Sequence, residues 1–362
     1  MDDDTDIMRR LAATLTDKDS VRLEVMERVR SRYISSARDR ELEKAVNYLI
    51  ERTIWRATPG APVSATVRPE ARALVLIGNS GTGKTTALDW LFARHPAFPN
   101  FRQPGCILIS VRVPDSCTLR TLGRLILAAL GYPLEADRRE YLVWEMVRRR
   151  LDTQQVRFIH LDEIQNITST ANALEAVRIL IMLKTFLNNK RNPISLILSG
   201  LPEVAGFIQD DPQTRRRARF LQFQSLTSGD LEAAYGILID FAAVAQLSVD
   251  PTAQSTLVPR LMHAAVYEMG TMIELIHESI DQALQSGAKT LTAAQFATVY
   301  AERTGSAASA NPFVTPDWHN VDCAVVLDTD DLDQRPANSG KASNPKPEDP
   351  LKRHKHVKRG DW

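Results

Sequence analysis

Cysteine is nearly missing from this chain. Its three residues, Cys106, Cys117 and Cys323, are too few and too scattered for a disulfide framework or a zinc site. The fold must therefore be held by its core, and a reducing cytoplasm is the expected setting. No apolar run approaches the ~20 residues needed to span a bilayer, so no membrane partner is expected. Net charge is almost absent as well: 45 Lys and Arg against 44 Asp and Glu leave +1, so any polyanion-binding surface has to be local. The opening MDDDTD lacks the basic-then-apolar order of a signal peptide. What remains is the composition of a soluble globular protein, 44% hydrophobic and 25% charged, in a chain long enough for one large or two medium domains.

One stretch organises the rest. Residues 73–86 read ALVLIGNSGTGKTT. The first five form an apolar run of the kind buried on both faces of a parallel sheet. Gly78-Asn79-Ser80-Gly81-Thr82-Gly83-Lys84-Thr85 then fits G-x-x-x-x-G-K-[ST], and a helix follows from Thr86 to Arg94. Phosphate binding explains this spacing. Glycines let backbone N–H groups curl around an anion, and the helix N-terminus adds positive potential. Lys84 reaches the β- and γ-phosphates, while the Thr85 hydroxyl holds Mg²⁺. Residues Gly78 to Thr86 are thus expected to bind a nucleotide's phosphates.

Two helical patterns precede this stretch, Ser20 to Tyr33 and a second from near Ser36 through Ile50, followed by an Ala/Pro/Thr/Ser linker from Ala57 to Pro69. After the P-loop, strands at Cys106–Val111, Val156–Leu161, Ile194–Ser199 and Phe220–Phe223 alternate with helices at Leu119–Leu130, Asp137–Leu151 and Ala173–Asn188. That alternation predicts a parallel α/β sheet with helices on both faces. Beyond Ser225 only amphipathic helices are expected: Asp230–Ala245, Gln254–Met269, Thr271–Gln285 and Thr292–Arg303. From Ala307 the sequence turns to Ser, Asn, Pro and charge, with an acidic cluster (Asp328, Asp330, Asp331, Asp333) and a basic one (Lys352, Arg353, Lys355, Lys358, Arg359), a composition expected to be disordered. The expected division is a helical extension at 1–60, an α/β domain at 61–226, a helical lid at 227–305 and a tail at 306–362.

The strand FIHLDE ends in two acids. Behind a P-loop, Asp162 takes the metal-supporting role and Glu163 that of the base on the attacking water. His160 reads as a packed histidine. Ser199, at the end of the fourth strand, either reaches toward the γ-phosphate or serves as turn chemistry before Gly200. Four arginines, Arg215, Arg216, Arg217 and Arg219, crowd the last strand. They form either a solvated basic turn or an arginine finger for a neighbouring subunit, with Arg219 first and Arg217 and Arg216 behind it. Arg112, Arg120, Arg124 and Arg148 are the expected contacts to duplex DNA, through phosphates and without sequence reading; surface solubility is the other reading of the same residues.

Together, the P-loop, the LDE acids, the Ser at the fourth strand end, the arginine before the fifth strand and the trailing helices resemble the AAA+ ATPases. Within them, the chain is most similar to transposition regulators of the TniB/TnsC kind. The segments that carry this are RVRSRYISSARDRELEKAVNYLIE, ARHPAFPNF, ISVRVPDSCTLRTLGRLILAALGYPL, LDEIQN and SGLPEVAGFIQDDPQTRRRARFLQF, within roughly Val25 to Glu302. The resemblance implies an AAA+ P-loop NTPase fold with a parallel five-stranded sheet and a C-terminal helical lid, using ATP and Mg²⁺. It implies a bacterial homo-oligomer, ring or helical filament, on double-stranded DNA. Such a protein would link a target-selection protein to a DDE transposase, with hydrolysis controlling turnover. One departure stands out: Gly270-Thr271-Met272-Ile273 has no arginine where many such lids carry one. The tail is either a transposase-binding peptide or an inert solvated end. Two other functions fit the same motifs, a replication initiator or helicase loader and a nucleotide-dependent scaffold that binds protein only.

Overall fold

The computed structural model describes residues 13–55, 71–168, 173–189 and 192–324, with residues 7, 10 and 11. The expected linker at Ala57–Pro69 and both charged tail clusters lie outside the described residues.

Five parallel strands form the sheet: β1 (Ala73–Ile77), β2 (Leu108–Arg112), β3 (Phe158–Asp162), β4 (Ser195–Gly200) and β5 (Ala218–Gln222), in the spatial order β2-β3-β4-β1-β5. The strand carrying the P-loop is therefore central. Period-2 geometry divides its side chains: Ala73, Val75 and Ile77 enter one core, and Leu74 and Leu76 the other. The first core is closed by α4 (Leu119–Ala129), α5 (Glu140–Thr153) and α7 (Ala173–Asn188), which contribute Leu122, Val147 and Leu183 among others. The second is closed by α2 (Ala37–Trp55) and α3 (Lys84–Arg94) through Leu42, Val46, Leu88 and Phe92.

Short elements complete the crossovers. A single turn, α6 (Gln165–Thr168), follows β3, and α8 (Val204–Gln209) and α9 (Pro212–Arg215) fill the connection from β4 to β5. Neither of the last two was expected, since one or two helical turns are too short to show periodicity.

The lid comprises α10 (Leu231–Val244), α11 (Ala253–Thr256), α12 (Val258–Ala264), α13 (Met269–Ser286) and α14 (Ala293–Thr304), with a two-residue parallel bridge between β6 (Ser248–Val249) and β7 (Thr290–Leu291). The single helix expected from Gln254 to Met269 is two, because Pro259 sits in the first turn of α12 and cannot donate to the turn before it.

The N-terminal lead-in does not stand alone. Its first helix, α1 (Asp17–Ser31), buries Met26 and Val29 in the lid core and pairs Arg22 with Asp281 at 2.6 Å, whereas α2 belongs to the sheet. Nor is the chain structureless from Ala307. Residues up to 324 lie on the lid, with Phe313 and Cys323 in its core. Arg260 donates to the carbonyls of Pro312 (2.6 Å) and Thr315 (2.8 Å), and Asn311 donates to that of Ala297. Composition misled here because the hydrogen bonds are to backbone carbonyls, which carry no sequence signature. No helix among the described residues is long and apolar enough to cross a membrane.

Candidate functional site

The turn from β1 into α3 is built on glycine. Gly81 (φ 74°) and Gly83 (φ 84°) lie in the left-handed region, which side chains with a Cβ rarely adopt. Thr82 is buried and braces the loop by donating to the Asn79 carbonyl at 2.8 Å. Lys84, 7% exposed, donates to the Gly78 and Asn79 carbonyls, each at 2.8 Å. Its ammonium is thus held at the mouth of the loop, while Thr85 and Thr86 stand exposed at the helix start.

The acids fall where the register puts them. Arg112 at the end of β2 pairs with Asp162 at the end of β3, and the β4 end lies alongside. Asp162, 4% exposed, accepts from Thr85 Oγ1 at 2.7 Å on one oxygen and from Ser199 Oγ on the other. The Ser199 hydroxyl is therefore directed at Asp162 and is not engaged in turn chemistry. His160 Nε2 lies 2.8 Å from Ser199 Oγ, and Ser110 Oγ lies 2.8 Å from His160 Nδ1. Because Ser199 gives its proton to Asp162, Nε2 must be the protonated imidazole nitrogen and Nδ1 the acceptor from Ser110. Burial lowers the His160 pKa, so the ring is held neutral. It is a packed residue, as its 1% exposure and edge contact with Phe92 show, but it also fixes Ser199. Its part in this chain of hydrogen bonds was not legible, because it requires the register of three strands.

Glu163 adopts φ 56°, a left-handed conformation that costs a non-glycine residue of order 1 kcal/mol and turns its side chain out of the strand's alternation. Gln165 donates to one of its oxygens and accepts from the Leu201 N–H at 3.2 Å, tying the acid to the β4 end. Arg112 Nη2 stands 3.8 Å from the other oxygen. Thus one expected DNA contact lies beside the candidate base.

The lid rests on the P-loop. The N–H groups of Gly270 (2.7 Å) and Thr271 (3.2 Å) donate to the Gly81 carbonyl, and a Cβ on Gly270 would stand 2.5 Å from that oxygen. Glu268, 3% exposed, accepts from Asn79 Nδ2 (2.9 Å) and Ser225 Oγ (2.6 Å). Sequence reading missed Glu268; nothing in its spacing marks it.

Other expected residues lie elsewhere. Arg219 sits on the edge strand with its guanidinium 5.2 Å from the Tyr48 ring centroid of its own chain, so the side chain is stacked on α2. Strand alternation turns residue 219 to the α2 face, and the residue is exposed there. Arg217 donates to Asn188. Arg215 and Arg216 are exposed, with no ion pair for either guanidinium among the described residues. Arg120 and Arg124 both face Asp137, at 3.1 and 3.7 Å, while Arg148 is exposed on α5.

With this geometry in place, comparison with known proteins gives three findings. A family model described as "AAA domain" matches residues 67–208. No curated protein matches. Among solved structures, the chain is similar to Cdc6p from Pyrobaculum aerophilum, with TM-score 0.54, 16% identity, and coverage of 76% of this chain and 70% of that one. It is also similar to the Aeropyrum pernix ORC2 protein in ADPNP–ADP complexes (TM-score 0.53, 18% identity, 76% and 71% covered). The A. pernix ORC1 protein in complex with DNA gives TM-score 0.53 and 18% identity, with 75% and 66% covered. The fold is thus that of an AAA+ P-loop NTPase, a parallel five-stranded sheet followed by a helical region.

Proposed function

We propose that the protein is an ATPase that assembles with its own copies on double-stranded DNA and regulates transposition, linking a target-selection protein to a DDE transposase. The observation that carries the enzymatic part is Asp162, bridged to Thr85 and Ser199 directly beside Lys84. A hydroxyl and a carboxylate 2.7 Å apart are the hard oxygen donors that Mg²⁺ takes, and in AAA+ proteins it leaves most positions to water and phosphate, so the residues fit the ion. Bound there with ATP, Mg²⁺ would neutralise charge developing on the phosphates.

The chain's own groups supply the rest. Lys84 exchanges its loop carbonyls for phosphate oxygens, and the amides of residues 80–86 hold the β-phosphate. Glu163 accepts a proton from the attacking water, and Ser199, fixed by His160, orients it. The tilt of Gln165 and Arg112 toward Glu163 sets where that carboxylate stands.

Assembly is supported by two features. Arg215, Arg216 and Arg219 are all exposed at the start of β5, and any of them could serve as an arginine finger in trans, the first two without leaving a ring contact of the kind Arg219 makes. Along α7, Leu174, Val177 and Ile181 are 65%, 50% and 53% exposed at helical spacing, an apolar stripe of the kind found at self-association surfaces. The DNA part is supported by the likeness to a protein solved with DNA, which favours a replication-initiator role equally. Transposition rests on the sequence resemblance alone.

The test is anisotropy of a random duplex with and without a non-hydrolysable ATP analogue, followed by electron microscopy. Nucleotide-dependent, salt-sensitive binding whose stoichiometry grows with duplex length supports the proposal. No binding at low salt leaves a protein-only scaffold. Stimulation of a transposase paired with the chain, against loading of a helicase, separates the two DNA readings. Lys84→Ala is expected to abolish assembly, whereas Glu163→Gln keeps assembly and lowers turnover by two orders of magnitude or more. Turnover by Glu163→Gln at the parent rate would remove the base assignment.

A further inference from the structure

The group that the lid turns toward the P-loop is an acid. Glu268 lies over Asn79, its Oε2 buried without a hydrogen bond among the described residues. A cation also stands at the loop, supplied by the second residue of α2. Arg38 Nη2 is 3.6 Å from where a β-carbon on Gly83 would be, and its Cζ is 4.8 Å from the Phe223 ring centroid. Its Nε is buried with no hydrogen-bond partner, and no carboxylate among the described residues lies within ion-pair distance. The neighbouring Asp39 does not serve it: its oxygens accept from Tyr33 Oη, Ser36 N and Ser36 Oγ. Burial lowers the Arg38 pKa, opposed by the charges of Asp39 and Glu268.

A residue kept only to pack on Phe223 has no need of a guanidinium. Half-burying one with its Nε left unpartnered costs free energy that methionine of similar length avoids. The cost is offset where an anion arrives. Arg38 also has the reach and the planar fork that suit phosphate oxygens. We propose that Arg38 makes, within its own chain, the cationic contact to a nucleotide phosphate that the arginine-free lid cannot make. This rests on the nucleotide-site reading above. The geometry accounts for the packing of the lead-in: Phe223 below and the sheet-bound α2 behind hold the guanidinium against Gly83 before any ligand enters.

The experiment compares the full-length parent with Arg38→Met, Arg38→Lys and Lys84→Ala. It measures affinity for ATP and for inorganic tripolyphosphate by calorimetry, and thermal midpoints with and without ATP. Arg38→Met is expected to keep or raise the ligand-free midpoint, because a half-buried charge with an unpartnered Nε is gone. It should bind ATP and tripolyphosphate about 10- to 100-fold more weakly, by the same factor, the scale of one charge-assisted hydrogen bond. Arg38→Lys should recover part of that loss. Binding of ATP by Arg38→Met within twofold of the parent overturns the proposal while leaving the nucleotide site standing. A loss confined to ATP assigns the residue to the base or sugar and overturns the phosphate contact. A ligand-free midpoint that falls, with unchanged affinity, marks a purely structural arginine. If the parent binds neither ligand, the nucleotide-site reading falls, and this one with it.

Discussion

Ser199 shows how little freedom a single side chain has at this site. It donates to Asp162 and accepts from His160, so removing its hydroxyl strands a buried N–H and takes one donor from a buried carboxylate. Ser199→Ala is therefore expected to cost about 1–3 kcal/mol of stability and to lower turnover more than ATP affinity, checked by urea unfolding beside steady-state kinetics. Histidine titration gives a second expectation. Burial, with Arg30 nearby, depresses His277 from 6.5 to about 4, and burial lowers His160 in the same direction. The unfolded chain therefore binds protons that the folded chain refuses. Stability is fully present above pH 6.5 and declines as pH falls toward 4. Unfolding midpoints across that window should flatten in His277→Gln, and an unchanged slope would exclude the lid histidine as a contributor.

At the scale of elements, the decisive contact is the first turn of α13 against the P-loop. Gly270 was noticed in the sequence for the arginine that does not follow it, yet its own role is steric. A Cβ there would stand 2.5 Å from the Gly81 carbonyl, closer than real β-carbons come to any atom. Gly270→Ala improves helix propensity by up to about 1 kcal/mol, so the lid itself should not weaken. What should change is the docking: amide exchange at residues 270 and 271 is expected to quicken, and ATP affinity to fall severalfold. Exchange at the parent rate would show that the two hydrogen bonds to Gly81 survive and that the glycine is dispensable. Elsewhere, element reading was most secure where helices are long. The 16-residue α7 ends at the expected residue, Asn188, because more than four turns of apolar periodicity outweigh any local signal.

At the scale of the molecule, the N-terminal lead-in joins two cores that the sequence keeps apart. Met26 and Val29 of α1 are 1% and 0% exposed in the lid, while Leu42, Ala45, Val46 and Leu49 of α2 close the sheet. The five residues between them carry Tyr33, which stacks on Trp90 of α3 with ring centroids 4.3 Å apart. Any swing of the lid must therefore move α1, and the strain must pass through this short connection. Met26→Ala is expected to destabilise the lid by about 2–4 kcal/mol, as core truncations do, read as an early transition in urea. A change within 0.5 kcal/mol would place α1 outside the lid core.

The sequence alone determined the phosphate loop, the acids behind it and the parallel sheet that brings them together. Each is a local pattern: glycines at fixed spacing, an apolar strand ending in charge, strands alternating with helices. Only the tertiary structure decided which lone side chains meet across those elements. Arg38 at Gly83, Glu268 over Asn79, His160 behind Ser199 and Arg219 turned onto Tyr48 are contacts between segments 39 to 189 residues apart. No spacing rule reaches that far, because register, strand alternation and the docking of two helical segments must all be fixed before such residues face one another.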